Sequence, residues 1–192
     1  YAQAGAYFVE FSLPSITFVY DIITQLWHER ESQIIVGEGR TQNIRHRVNA
    51  LSTAYGRIFV GDSQDGRIGV LSLDTYTEYD RPILRSFALQ PFADMGNSMS
   101  INSIELTTES GVGNEAQPEP EIRMSTSVDG KKFNNPIPAL LGKIGEYDVR
   151  QIWRRLGRFP RFGVLLFEFS DPCKFRALKL RMNVKQGAQR GR

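Results

Sequence analysis

The stretch AYFVEFSLPSITFVYDIITQLWHER, residues Ala6–Arg30, decides the fold class. It contains three runs rich in Val, Ile, Phe, Tyr and Thr, which are Ala6–Leu13, Ile16–Ile23 and Leu26–Arg30. Short polar turns separate the runs, and this rhythm is typical of an antiparallel β-meander. No window of about a dozen residues anywhere in the chain keeps its apolar positions at helical spacing. The sequence therefore predicts an all-β fold built from antiparallel meanders.

A second trio of runs follows, at Arg47–Thr53, Arg57–Gly61 and Arg67–Leu73. Its last turn holds Asp62, Asp65 and Gly66, where an Asp–Gly pair predicts a hairpin corner with positive φ. Two meanders about 40 residues apart match the size of one propeller blade per repeat. Residues 1–80 are thus predicted to be propeller-blade-like. Because two blades cannot close a ring, the rest of such a propeller is expected outside this chain.

A polar, turn-rich segment near Tyr76–Pro82 marks a predicted domain boundary. The strands predicted beyond it are Leu84–Leu89, Ser100–Thr108, Glu121–Ser127, Lys131–Phe133, Val149–Leu156, Val164–Ser170 and Arg176–Val184. Six or seven antiparallel strands in about 110 residues favour a β-sandwich or further blade-like sheets. Residues 81–192 are therefore predicted to form an antiparallel β domain with a basic C-terminal tail.

Charge is unevenly distributed along the chain, although the net charge is only +3. Residues 150–192 contain twelve Lys or Arg but only two acids, Glu168 and Asp171, whereas the preceding 149 residues hold nineteen acids and twelve bases. Such segregation fits binding to a polyanion or docking onto an acidic neighbour. A solvated strand face with a frayed tail is the plainer interpretation.

Residues that could support catalysis or metal binding are few. His28 and His46 lack a second ligand at zinc-binding spacing. The single cysteine, Cys173, cannot form an intrachain disulfide and is expected to be a buried or edge thiol. No nucleophile elbow, P-loop or dinucleotide fingerprint is present, and no apolar run approaches the roughly 18 residues of a membrane-spanning helix. The sequence predicts no enzyme, no metal, no cofactor and no membrane span.

The densest functional candidate is WRRLGRFPRF, residues 153–162, where four arginines interleave with aromatic residues. Arginine suits phosphates or carboxylates, and rings can stack on bases or fill a partner's pocket. In a regular strand Trp153 and Arg155 share one face, Arg154 and Leu156 share the other, and the remaining arginines follow at a turn around Gly157. A protein interface, an ordinary surface hairpin and a nucleic-acid contact all remain open. The candidate interface residues are Trp153, Arg154, Arg155, Arg158, Arg161, Lys179 and Arg181.

The segment SVDGKKF, residues 127–133, resembles the Asp-box turn of sialidase-like propellers. In that turn the acid accepts hydrogen bonds from backbone amides and an aromatic residue lies beneath. Asp129 and Gly130 are therefore predicted to shape a hairpin and not to catalyse a reaction. The motif motivates one alternative function, a carbohydrate-binding or sialidase-like β-propeller module.

Several short motifs recur in a fixed order along nearly the whole chain. They are Val19–Tyr20–Asp21, Leu26–Trp27–His28–Glu29–Arg30, Val60–Gly61–Asp62, Asp65–Gly66–Arg67–Ile68, Leu73–Asp74, Glu109–Ser110–Gly111–Val112–Gly113, Ser127 with Asp129–Gly130, Gly142–Lys143–Ile144–Gly145–Glu146–Tyr147, Trp153–Arg154–Arg155–Leu156–Gly157–Arg158, and Phe167–Glu168 with Ser170–Asp171–Pro172. In this order they resemble the packaged-DNA stabilisation proteins, or tail accessory and tail hub proteins, of short-tailed bacteriophages. Lys131–Lys132–Phe133 departs from that family, which usually has a second glycine and a Thr–Trp pair there.

The resemblance implies a structural protein of the virion tail. Such a protein forms a ring below the portal, hexameric in the family, which seals packaged DNA and passes it during ejection. The implied partners are further copies of the chain, portal or adaptor proteins, a tail needle or nozzle protein, and packaged DNA in weak, non-specific contact. It also implies that this chain is the C-terminal part of a longer tail protein.

Overall fold

The computed structural model describes residues 1–94 and 97–186, and these residues form eighteen β-strands and no helix. The strands are β1 Ala2–Gln3, β2 Ala6–Ser12, β3 Thr17–Asp21, β4 Leu26–Val36, β5 Arg40–Arg45, β6 Val48–Ala54, β7 Arg57–Asp62, β8 Ile68–Leu71, β9 Thr77–Glu78, β10 Arg81–Pro82, β11 Arg85–Ala88, β12 Phe92–Ala93, β13 Met99–Thr108, β14 Glu121–Ser127, β15 Ile137–Leu140, β16 Gln151–Phe159, β17 Phe162–Phe169 and β18 Ala177–Gln186. The predicted all-β, antiparallel fold is confirmed. Across the described residues, no helix is long and apolar enough to cross a membrane.

The chain divides into two compact units, Tyr1–Arg81 and Pro82–Arg192. The first contains a five-stranded antiparallel sheet in the order β1–β2–β3–β4–β5 and a three-stranded sheet, β6–β7–β8. The predicted run Leu26–Arg30 is too short, because β4 continues to Val36 and turns through Glu38 and Gly39, both with positive φ, into β5. The polar sequence of β5 carries no alternating apolar pattern, so this strand was not predicted.

The turn after β7 is held by carboxylates. Asp62 Oδ1 accepts a hydrogen bond from the amide of Gln64 (2.8 Å), and Asp65 Oδ1 accepts one from the amide of Arg67 (3.0 Å). The predicted positive φ at Gly66 is wrong, since Gly66 is not among the residues with positive φ. Aspartate side chains that bond to amides two residues on can shape the bend without a left-handed residue. The side-chain hydrogen bond from Arg67 lowers the pKa of Asp65 to about 2.

A cationic residue fixes this turn to the sheet. Arg47 is almost fully buried and pairs with both carboxylates, Asp62 and Asp65. The guanidinium carbons of Arg47 and Arg67 lie 5.1 and 4.0 Å from the ring centroid of Tyr79. The side chain of Asp62 is fully buried, so its charge needs these partners.

A second polar cluster is centred on Glu10, which lies in β2 of the five-stranded sheet. Glu10 Oε1 is 2.7 Å from His46 Nδ1, and Glu10 Oε2 is 3.7 Å from Arg30. Burial acts to raise the pKa of Glu10, but the hydrogen bond and charge of His46 and the charge of Arg30 outweigh it, so the pKa is lowered. Thr17 and Val19 on the same face of the sheet are fully buried. This face of the sheet is therefore the interior of the first unit.

The second unit is a β-sandwich. One sheet has the order β11–β17–β14–β15, with β12 also paired to β17, and the other has the order β16–β13–β18. Alternate residues of these strands meet in a single buried cluster, as expected for two sheets packed face to face. Its members are Ile101, Ile104, Leu106, Ile122, Met124, Leu141, Trp153, Phe159, Leu165, Phe167, Phe169 and Cys173.

The predicted strand Lys131–Phe133 is wrong. Those residues form a bend and loop, and the hairpin partner of β14 is β15, whose Pro138 lies opposite Arg123. Proline is tolerated in β15 because β15 is the edge strand of its sheet. An edge strand does not need the N–H that proline lacks for a hydrogen bond to a further strand. Asn134 joins the loop to β14, since its Oδ1 accepts from the amide of Thr126 (2.6 Å).

Candidate interaction surfaces

A β-bulge in β16 decides which side chains of the arginine-rich segment face outward. Ile101 of β13 pairs with Gly157 and Ser103 pairs with Arg154, so two residues of β16 stand opposite Asn102 alone. Arg155 (φ 57°) and Gly157 (φ 87°) take the left-handed conformations that accompany the extra residue. Gly157 therefore lies within a strand and not in a turn, which corrects the prediction.

The bulge also overturns the predicted pairing of faces. Trp153 is buried in the core, 3% exposed, and its Nε1 donates to the carbonyl of Ile137 (2.8 Å). Arg155 does not share that buried face, because the extra residue turns it outward beside Arg154 and turns Leu156 against the core. Trp153 is consequently a core residue of the monomer and no interface contact.

Four of the predicted interface residues do come together on the solvent face of β16–β13–β18. The strand register places Arg154 in line with Ser103 and Asn183, Arg158 in line with Ser100 and Lys185, Arg181 opposite Glu105, and Lys179 opposite Thr107. With Arg150, which precedes β16, they form a surface that we call the basic face. Its members are Arg150, Arg154, Arg158, Lys179, Arg181 and Lys185. Arg161 is exposed at the turn between β16 and β17.

The electrostatics of the basic face centre on Glu105, the single acid in its three strands. Arg150 Nε donates to Glu105 Oε1 at 2.8 Å. This hydrogen bond lowers the pKa of Glu105, and the positive charges of Arg150, Arg181 and Arg154 add to the effect. Six cations around one carboxylate leave a strongly positive surface, which favours an anionic or acidic partner.

The Asp129 turn has part of the geometry expected of an Asp box. Asp129 Oδ1 accepts hydrogen bonds from the amides of Lys131 and Lys132, both at 2.8 Å, and these bonds lower the pKa of Asp129. Gly130 takes a positive φ of 71°, and its amide donates to Ser127 Oγ at 2.9 Å. The chain continues into a loop and not into a strand, so the turn shapes the end of β14.

The remaining chemistry is sparse. Cys173 is buried, and burial raises the pKa of its thiol to about 11, so the thiol stays protonated near neutral pH and is a poor nucleophile. Within residues 1–94 and 97–186, no group of three or more His, Cys, Asp or Glu side chains is placed to hold a metal ion.

A second surface was missed in the sequence. The outer side of β2, β3 and β4 carries a cluster of aromatic residues centred on Trp27, which is 59% exposed. The Trp27 ring centroid lies 4.8 Å from that of Tyr20 and 5.7 Å from that of Phe11. We call this surface the aromatic face, and its members are Tyr7, Val9, Phe11, Phe18, Tyr20 and Trp27. The alternation of Tyr7, Val9 and Phe11 with Phe8 and Glu10 was the available signal.

Comparison with known protein families gives one match, to the family described as bacteriophage P22 Gp10, β-sandwich, over residues 85–185. The matched residues contain both sheets of the sandwich and the whole basic face. A comparison with curated proteins finds no match. Since the match covers more than half of the chain, the chain belongs to the bacteriophage P22 Gp10 β-sandwich family and is a structural protein of the virion tail.

Proposed function

We propose that this tail protein assembles with further copies of itself into a ring below the portal. There it contacts portal or adaptor proteins and a needle or nozzle protein, stabilises packaged DNA, and forms part of the ejection channel. Membership of a phage tail family supports the setting. The observation that carries the proposal is the exposed aromatic face, which requires strands from outside this chain to cover it.

The aromatic face is a candidate docking surface because it gathers several large exposed apolar side chains on one side of a sheet. Tyr7, Phe11 and Trp27 are each about half exposed. With roughly 150–250 Å² per aromatic side chain, each leaves about 100 Å² in water. With its neighbours, the patch is on the order of 400–500 Å², the size of the largest apolar patch on a typical monomer, and such patches are often functional.

The occupant that fits best is another antiparallel β-sheet packed face to face. The aromatic face follows three adjacent strands and has the apolar composition of an inner sandwich or propeller layer. This supports the expectation that residues 1–80 are blade-like sheets completed by strands outside this chain, as part of a longer tail protein.

The excess of Lys and Arg over acids in residues 150–192 supports a role next to DNA. Lys and Arg side chains contact phosphates without reading sequence. The contact must be weak if DNA is to pass, so binding should be sequence-independent and fall steeply with salt. A flat salt response would remove DNA contact from the proposal.

The experiment compares Phe11→Ser/Trp27→Ser with Tyr55→Ser in the complete protein within assembled particles. Tyr55 is a matched control because it is also in the first unit and is 96% exposed, but lies at a hairpin turn away from the aromatic face. The double variant should fail to enter the tail, and its particles should lose DNA to added nuclease. Particles that retain DNA as well as the wild type would overturn the proposal.

A carbohydrate-binding or sialidase-like module remains a second candidate, favoured by the Asp129 hydrogen bonds and by the exposed rings, which can stack on sugar faces. Glycan-array binding without ring formation would select it over the tail role.

A further inference from the structure

We infer that the basic face of one copy docks onto acidic loops of the next copy of this chain. The acidic loops are residues 109–119 and 142–148. The inference rests on the proposed self-assembly and assigns the two surfaces that meet in it.

The basic side of this contact combines dense charge with a free strand edge. Strands β16 and β18 together carry six Lys or Arg and no acid. In the described part of the chain β18 pairs only with β13, so it presents a free edge. Met182 and Val184 pair with the core residues Ile104 and Ile101, so they lie on the other face of β18 from the basic side chains and are exposed along this edge. A partner at the edge can meet both charged and apolar side chains, a mixture typical of protein interfaces.

The acidic side is one surface, because the two loops pack together. Ser110 Oγ donates to the carbonyl of Tyr147 (2.7 Å), and Lys143 Nζ lies 2.5 Å from Glu119. The loops contain five acids, Glu109, Glu115, Glu119, Glu146 and Asp148, and one base. Lys174 pairs with Glu109 and Lys143 pairs with Glu119, so Glu115, Glu146 and Asp148 are the acids without an ion pair among the described residues. Ile144 and Tyr147 are 68% and 72% exposed beside these acids. The loops are therefore acidic where the basic face is cationic.

The position of the loops favours contact between copies. They join β13 after Thr108 and β16 before Gln151, at one end of the sheet. Arg158 and Lys185 lie in line with Ser100, toward the other end of the roughly 30 Å that ten residues of strand span. When one surface of a copy binds a different surface of the next copy, the contact is head-to-tail. Repeating this contact gives a ring if the rotation between neighbouring copies closes on itself.

Protein fits the basic face better than DNA does. Glu105 lies in the middle of the surface and weakens its attraction for phosphate, and the apolar side chains along the edge of β18 have no counterpart on a DNA backbone. DNA binding by this face is the competing outcome of the test.

The test is a charge swap in the complete protein, measured by sedimentation velocity at low and moderate salt. One variant, Arg154→Glu/Lys185→Glu, reverses the basic face, and a second, Glu115→Lys/Asp148→Lys, reverses the loops. All four side chains are exposed. Lys131→Glu/Lys132→Glu is the control, with two charge reversals on the exposed Asp129 turn.

Each swapped variant should lose the ring by itself while keeping its β-sheet circular dichroism. An equimolar mixture should restore the ring, because opposite charges then meet at every contact. The control should assemble like the wild type. Assembly of both swapped variants alone would overturn the inference, as would a basic-face variant that assembles but loses salt-dependent DNA binding. Wild-type protein that stays monomeric with its tail neighbours would instead refute the proposed function.

Discussion

Replacement of Trp153 tests whether this residue belongs to the core of the second unit or to an interface. Trp153 is 3% exposed, contacts the Phe167 ring edge-on at 5.6 Å between centroids, and donates its indole N–H to the Ile137 carbonyl at 2.8 Å. Truncation of a buried Trp to Ala costs about 3–5 kcal/mol. The orphaned carbonyl adds about 1 kcal/mol or more. We therefore expect Trp153→Ala to lower the free energy of unfolding of the second unit by about 4–6 kcal/mol.

The assay is urea unfolding followed by far-ultraviolet circular dichroism, because the substitution removes the only tryptophan of the second unit. With a slope of about 2 kcal/mol per molar urea, the midpoint should fall by roughly 2–3 M, or the unit should be unfolded without denaturant. Arg154→Ala is the matched control, next in sequence but exposed, and should change stability by less than about 0.5 kcal/mol. Equal stability of the two variants would refute the placement of Trp153 in the core.

Three further predictions concern other packed or buried groups. Gly163→Ala should lower stability by about 1–3 kcal/mol in the same assay, because a Cβ there would clash with the Phe92 and Phe159 rings, whereas Gly61→Ala should be nearly neutral. Cys173 should react with a thiol reagent only as fast as the second unit unfolds; native protein reacting at the denatured rate would contradict its burial. The lowered pKa of Glu10 means that its contribution to stability is present above pH 4.5 and lost as pH falls through the native pKa. Glu10→Gln should therefore flatten the loss of stability measured below pH 4.5, and an unchanged slope would exclude this role.

The sequence predicted strands well where apolar residues were dense. Glu121–Ser127 matches β14 at both ends, and Ser100–Thr108 differs from β13 by one residue. Strands without such a pattern escaped prediction: β5 is polar and held by its hairpin, and β15 contains a proline that an edge position tolerates. At Gly66 the predicted positive φ is not needed, because hydrogen bonds from backbone amides to the Asp62 and Asp65 side chains form the bend.

The basic face was predictable in composition but not in orientation. Alternation alone placed Arg155 on the Trp153 face, and one extra residue in β16 reversed that assignment. A bulge depends on how a strand pairs with its neighbour, so a single run of residues does not reveal it. Lys185 joins the face through the register of β18 with β13, and Arg150 joins it through its hydrogen bond to Glu105, so both depend on residues far apart in sequence.

Electron cryomicroscopy of the intact virion tail tests the central claim most directly. We predict several copies of the β-sandwich in a closed ring around the DNA channel, each with β16 and β18 against residues 109–119 and 142–148 of its neighbour. A single copy, or copies that do not touch one another and lie away from the channel, would contradict it.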